Sequence, residues 1–184
     1  MDKKRHISSI ETARLILRPP SAADAPLLHA AICESFADLH TWMKWADKPP
    51  LPEETTARAI KAAGRFQTGE DFTLWGFLKE TEEFVLVCAL HPLDWDVPKF
   101  EIGYWCHITF QGKGYVTEAV QALTRVGFEE LGAQRLEIRC DPRNLRSSRV
   151  AIKAGYVLEA ELKNEQRDPS GALRNTSIYA RFQL

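Results

Sequence analysis

The sequence has no charge excess of either sign: 24 Lys and Arg stand against 25 Asp and Glu, for a net charge of -1. Such a balance leaves no global positive field to hold nucleic acid through counterion release. Long apolar runs are missing too. The longest, Phe84 to Leu90, has seven residues, where a membrane span needs about 20. The opening MDKKRHISSIE is basic but has no apolar stretch behind it of the kind a secretory signal carries. Cysteine is scarce: Cys33, Cys88, Cys106 and Cys140 form no C-x-x-C pair and have no histidine at zinc spacing. These absences argue against a disulfide framework and a metal site, and they point to free thiols in a reducing compartment. The expected location is the cytoplasm, with neither nucleic acid nor membrane as a partner. No repeat, low-complexity tract or linker divides the chain.

What is present is an ordinary globular composition, 45% hydrophobic over 184 residues, which predicts one domain over residues 1–184. Arg14 to Arg18 reads as a strand closed by Pro19 and Pro20. Ser21 and Asp24 then open a helix that carries Leu27, Leu28, Ala31 and Ile32 at helical spacing. Leu39 to Pro52, with Trp42, Trp45 and three prolines, reads as a connection without regular structure. A second helix starts at Pro52 and ends near Gly69. Phe72–Lys79 and Phe84–Leu90 form a hairpin, and Lys99–His107 alternates between two faces. Val116 to Leu131 is a helix, Arg135–Cys140 a strand, and Asn144–Ala154 a helix stopped at Gly155. Tyr156–Leu162 and Asn175–Phe182 close the chain as strands around the turn Asp168-Pro169-Ser170-Gly171. This order is α/β.

Between the Lys99 strand and the Val116 helix lies Gln111 to Thr117, QGKGYVT. Glycines at a helix N-terminus let an anion approach the free amides. A Walker A loop is excluded, because His107 stands where its first glycine belongs and Gly114 where its Ser or Thr belongs. A dinucleotide fingerprint would need a glycine at Thr117 and a βα unit near the N-terminus. Two readings stay open on spacing alone, the pyrophosphate of coenzyme A and a tight turn that holds nothing.

The stretch Glu101 to Ala119, EIGYWCHITFQGKGYVTEA, resembles the GNAT superfamily of acyl-CoA N-acyltransferases. Its pyrophosphate loop, Q/R-x-x-G-x-G/A, is matched by Gln111 to Val116, with Val116 larger than the usual small last residue. Asn144 to Tyr156 matches the downstream N-x-x-S-x-x-x-x-x-K-x-G-F pattern. TARLILRP and Trp42-Met43-Lys44-Trp45 resemble the branch of ribosomal-protein N-terminal acetyltransferases. The resemblance implies a single-domain fold with a mixed sheet of about six or seven strands, splayed at the cofactor site and flanked by about four helices. It also implies acetyl-CoA as cofactor and a protein N-terminus or a small amine as acceptor, in a monomer or homodimer. A small-molecule acetyltransferase and a noncatalytic acyl-CoA-binding module are the alternatives.

By the same resemblance, pantetheine pairs with the backbone of Cys106, His107 and Ile108. The pyrophosphate rests on amides of Gln111, Gly112, Lys113, Gly114, Tyr115, Val116 and Thr117, and Asn144 bonds the cofactor. Acetyl transfer to an amine needs a base, an acid for the leaving sulfur and an oxyanion donor. Glu101 shares a strand face with Gly103, Trp105 and His107 and is a candidate base, or an exposed carboxylate in an ion pair. His107 is a second candidate, since imidazole titrates near neutrality, or a solvent-facing side chain whose neighbouring backbone N–H is the oxyanion donor. Many relatives carry a tyrosine acid where Ala151 stands. Ser147, matching the serine of the ribosomal-protein branch, is the candidate acid; it and Asn144 could equally be helix-capping residues. Trp42 and Trp45 are expected to wall the acceptor cleft or to pin their loop to the core, and Asp38 and Asp47 nearby either attract a cationic amine or are simply solvated.

Overall fold

The computed structural model describes residues 7–182; residues 1–6 and 183–184, the ends of the expected domain, lie outside the described residues. Its strands are β1 (Ile10–Glu11), β2 (Leu15–Arg18), β3 (Phe72–Leu78), β4 (Phe84–Asp94), β5 (Lys99–Cys106), β6 (Arg135–Cys140), β7 (Val157–Arg167) and β8 (Leu173–Phe182). The helices are α1 (Ala25–Glu34), α2 (Phe36–Trp42), α3 (Pro52–Thr68), α4 (Tyr115–Glu129) and α5 (Leu145–Lys153). The strands form one sheet in the order β1-β2-β3-β4-β5-β6-β8-β7. Every neighbouring pair is antiparallel except β5 and β6, which run parallel and are joined through α4. A parallel neighbour requires a crossover of this kind, because no tight turn can return the chain in the same direction.

The sheet separates two cores. On one face Phe100, Ile102, Leu136 and Ile138 pack under the apolar stripe of α4, where Ala119, Val120 and Leu123 are buried. Gly127 lets α4 approach β6 closely: a Cβ there would stand 3.0 Å from Leu136 Cδ1. On the other face α1, α2 and α3 cover Trp75, Phe77 and Phe84 through Leu28, Ile32, Leu39 and Ala59. Among the described residues no helix is long and apolar enough to cross a membrane.

The feature that positions the site is the β5–β6 pair. It holds for only three residue pairs, Lys99 with Arg135, Phe100 with Leu136 and Glu101 with Glu137. Beyond them the strands separate and leave a wedge in the middle of the sheet. Among the described residues the sheet has eight strands where six or seven were expected, the added one being the two-residue β1. The described residues hold five α-helices rather than four, because Leu39 to Trp42 belong to α2 and not to an irregular connection. Leu39 buries its side chain there, and the three prolines fall after the helix, where they do not interrupt it. The terminal hairpin is also longer than read, since β7 runs on to Arg167.

Candidate active site

The loop before α4 turns on two glycines in the left-handed region, Gly112 (φ +75°) and Gly114 (φ +86°). Gly114 is the N-cap of α4, and Glu118 N–H is the first amide to close onto it, 3.1 Å from its carbonyl. The amides of Tyr115, Val116 and Thr117 therefore lack acceptors within the helix and, with the positive end of its dipole, suit a phosphate. Nothing lies within 4 Å of where a Cβ at Gly112 would stand, so a ligand can come up to the backbone. From behind, Arg14 fixes the loop: Nη1 donates to Lys113 O at 3.0 Å, and Nε donates to Glu118 Oε2 at 2.8 Å. Val116 packs partly against the core, so its branch does not shield the amides. Gly114→Ala is expected to lower stability by about 1–2 kcal/mol through the left-handed backbone alone, read as a lower Tm, and to weaken coenzyme A binding in the same sample.

Two clefts meet at the wedge. The first, about 330 Å³, is lined by Cys106, Gln111, Gly112, Gly114, Tyr115, Val116, Thr117 and Asn144, and along α5 by Arg146, Arg149 and Lys153. The second, about 370 Å³, opens on the opposite face of the sheet and is lined by Glu101, His91, Arg139, Arg174 and Trp45. They share Trp42, Met43, Tyr104, Trp105, Asn144 and Ser147. At the junction Tyr104 Oη and Ser147 Oγ are 2.9 Å apart. Burial pushes the Tyr104 phenol up, so it remains a proton donor at neutral pH. Asn144 Oδ1 accepts Ser147 N–H at 3.1 Å. Asn144 is thus the helix cap, and the Ser147 hydroxyl is left to face the junction.

Glu101, on β5 at the last residue pair before the wedge opens, is half-buried in the second cleft. Burial pushes its carboxyl up to about 7, with Arg139 opposing the rise and Glu137 and Glu165 adding to it. A carboxylate that titrates near neutrality is suited to general base work. His107 is not brought to either cleft. β5 ends at Cys106, and the imidazole turns to Glu34, with Nε2 2.8 Å from Oε2, and lies edge-on to Phe110. The backbone around it is also engaged: His107 N–H donates to Val85 O at 2.9 Å, and Ile108 N–H donates to Ser35 Oγ at 2.9 Å. By the alternation of the β4–β5 ladder, the residues that direct N–H and C=O into the wedge are Tyr104 and Cys106. Lys113 lies over the Phe110 ring, 5.2 Å from its centroid, outside the clefts.

Trp42 lines both clefts and Trp45 the second, tilted against Trp105 with ring centroids 6.2 Å apart. Asp38 instead accepts from Gln111 Nε2 at 2.9 Å and is paired with Arg146, which also reaches Gln111. This clasp ties α2, the glycine loop and α5 across the first cleft. Sequence reasoning missed it, along with Tyr104, Arg149 and Lys153. By alternation Tyr104 falls on the strand face of Phe100, Ile102 and Cys106, and only the separation of β5 from β6 brings its hydroxyl to Ser147.

The family model described as an acetyltransferase (GNAT) domain matches residues 14–157. The chain is 27% identical over 168 residues to the uncharacterized N-acetyltransferase p20 of Bacillus licheniformis, covering 88% of this chain and 89% of that one. It is 26% identical over 155 residues to the ribosomal-protein-serine acetyltransferase of Escherichia coli K12, covering 84% and 85%. Among solved structures, the RimL ribosomal L7/L12 alpha-N-protein acetyltransferase in complex with coenzyme A has the same fold, with a TM-score of 0.88 at 24% identity over 95% of this chain and 98% of that one.

Proposed function

The chain belongs to the GNAT acetyltransferase family, and on that premise we propose that it moves the acetyl group of acetyl-CoA onto the α-amino group of a protein N-terminus. The observation that carries the reading is the meeting of two clefts from opposite faces of the sheet at Tyr104 and Ser147. A transfer between two substrates needs such a junction, where donor and acceptor enter separately and their reacting atoms are held together. The similar proteins support the choice of partners: one is named for acetylating a ribosomal-protein serine, and another was solved with coenzyme A.

Acetyl-CoA, when bound, supplies an activated thioester, and this chain's residues do the rest. The amides from Gly112 to Thr117 hold the pyrophosphate, and Arg149 and Lys153 add positive charge along the same cleft. Tyr104 and Cys106 offer strand-edge backbone for pantetheine, and the Cys106 N–H is the oxyanion donor in place of His107 and Ile108. Glu101 takes the proton from the amine. The Ser147 hydroxyl, hydrogen-bonded to Tyr104, returns one to the sulfur. Trp42 and Trp45 wall the acceptor side. The reading places the chain in the cytoplasm as a monomer or homodimer.

Acetyl-CoA at about 100 times its Kd is expected to add about 2.7 kcal/mol of stability, a rise of roughly 5–11 °C in Tm for a chain of this size, with no rise for ATP. Free thiol is then expected with a peptide that begins with Ser and none with the same peptide N-acetylated. A shift with ATP alone overturns the cofactor assignment. A shift with acetyl-CoA but no thiol from any amine makes the chain a binding module.

A further inference from the structure

The acceptor cleft contains an ionisable side chain that the mechanism above leaves unused, and the inference drawn from it rests on that acetyl-transfer reading. His91 lies on β4 at the end of its regular pairing with β5, where Ala89 faces Gly103 and Leu90 faces Ile102 before the register shifts. It lines the same cleft as Glu101 and is open to solvent there. The imidazole lies back over Gly103. A Cβ on that glycine would stand 2.7 Å from His91 Nε2, so only glycine leaves room for the ring beside the strand that carries Glu101. Glu101 is half-buried, whereas His91 reaches bulk water. The charged groups around the ring are Arg65 of α3, paired with Asp71 at 2.6 Å, then Glu101, Arg139, Asp141 and Arg174. The side of the ring laid against Gly103 is desolvated while the residue's outer edge stays exposed. This desolvation holds the imidazole below its ordinary value, with Asp71 opposing and Arg65 reinforcing the shift, so at pH 7 it is neutral and able to accept.

Acetylation of an ammonium group releases two protons from nitrogen. The C–N bond forms, the C–S bond breaks with its electron pair on sulfur, Ser147 gives its proton to that sulfur, and one of the two nitrogen protons restores the Ser147 hydroxyl. The products are an amide, a thiol and one proton. That last proton stays on Glu101 and has to leave before the next turnover. We propose that His91 is the exit for it, taking the proton from the Glu101 carboxyl and passing it to bulk water at the mouth of the acceptor cleft.

The test is thiol release from acetyl-CoA with a peptide that begins with Ser, measured from pH 6 to 9 in dilute buffer. His91→Ala is expected to lower kcat at pH 7 by about tenfold, less than the 10²–10⁴ of a direct general base, with KM for both substrates within twofold. Added imidazole is expected to restore the rate in proportion to its concentration. Gly103→Ala, which displaces the ring without removing it, is expected to show the same loss and the same rescue. Unchanged kcat in both variants overturns the proposal, as does a loss that imidazole does not restore while the acetyl-CoA melting shift is intact. No thiol from the unmodified protein overturns the transfer reading itself, a result distinguishable from either of these, and the exit falls with it.

Discussion

Glu101→Gln is expected to make the protein less active and more stable, with both effects growing as pH rises through about 7. Removing the base is expected to lower kcat by about 10²–10³-fold. In the unmodified protein kcat/KM is expected to rise with pH through about 7, where burial sets the ionisation of the Glu101 carboxyl, and then to level off; in the variant that rise is expected to be absent. Stability follows from the same burial. An unfolded-state glutamate ionises near the ordinary 4.5, whereas the folded protein holds Glu101 protonated up to about 7. The neutral carboxyl is thus favoured by the fold, and this contribution is complete below pH 4.5 and lost as pH rises through 7. The interval corresponds to ~3 kcal/mol, an upper bound because the side chain is only half-buried. Glutamine keeps the neutral shape at every pH. The two proteins should therefore melt together at pH 4.5, and the variant should melt several degrees higher at pH 8. Parallel melting curves and thiol-release rates across that range check both halves. Equal stability at pH 8, or an unchanged pH–rate profile, removes Glu101 from the base role.

Sequence reading located the parts of this site whose signals are local. Gly112 and Gly114 announce positive φ because a helix N-terminus that approaches an anion has few other ways to turn. Asn144 announces a cap by its place before a helical stripe, and the structure finds it capping Ser147 N–H. The alternation of β5 was legible too, but alternation assigns side chains only to faces. It placed Tyr104 on the face of Phe100, Ile102 and Cys106, and His107 on that of Glu101. The first placement holds, since Tyr104 packs against the core, but its hydroxyl also reaches Ser147 because the sheet opens where β5 and β6 lose their pairing after Glu101 and Glu137, and the strand sequences do not record where that happens. The second fails because β5 ends one residue earlier than read, which frees the imidazole to pair with Glu34, 73 residues away in sequence. Asp38 and Arg146, 108 residues apart, show the same limit. Contacts that depend on how α2 and α5 lie across a wedge have no counterpart in any local pattern. Leu39 to Trp42 was missed for a different reason: the prolines and tryptophans nearby outweighed the short apolar spacing that makes α2.

The largest test of the site as a unit is the Tyr104–Ser147 pair. Ser147→Ala removes the hydroxyl that faces the junction of the two clefts while leaving the Asn144 cap, which bonds the Ser147 backbone rather than its side chain. Helix stability should change little, and kcat is expected to fall by about 10²-fold, the lower end for a lost acid. Tyr104→Phe keeps the buried ring and deletes the hydroxyl 2.9 Å from Ser147 Oγ. Its phenol also donates to the Ser147 carbonyl at 3.2 Å, so its loss disturbs both the proton donor and the first turn of α5, and a fall of similar size is expected. If the two hydroxyls deliver one proton together, the double variant is no slower than the worse single one, because residues acting as a unit are not additive in kinetics. Independent roles would instead multiply, to about 10⁴-fold. The acetyl-CoA melting shift in all three variants separates chemistry from binding: it is expected to stay at the unmodified value, since the pyrophosphate amides lie on the other side of the cleft on α4. An acetyl donor with a better thiol leaving group in place of coenzyme A's sulfur sharpens the result. A donor thioester whose thiol is more acidic needs less proton delivery, so the Ser147→Ala deficit should shrink with it if the hydroxyl is the acid, and should stay constant if Ser147 only shapes the junction.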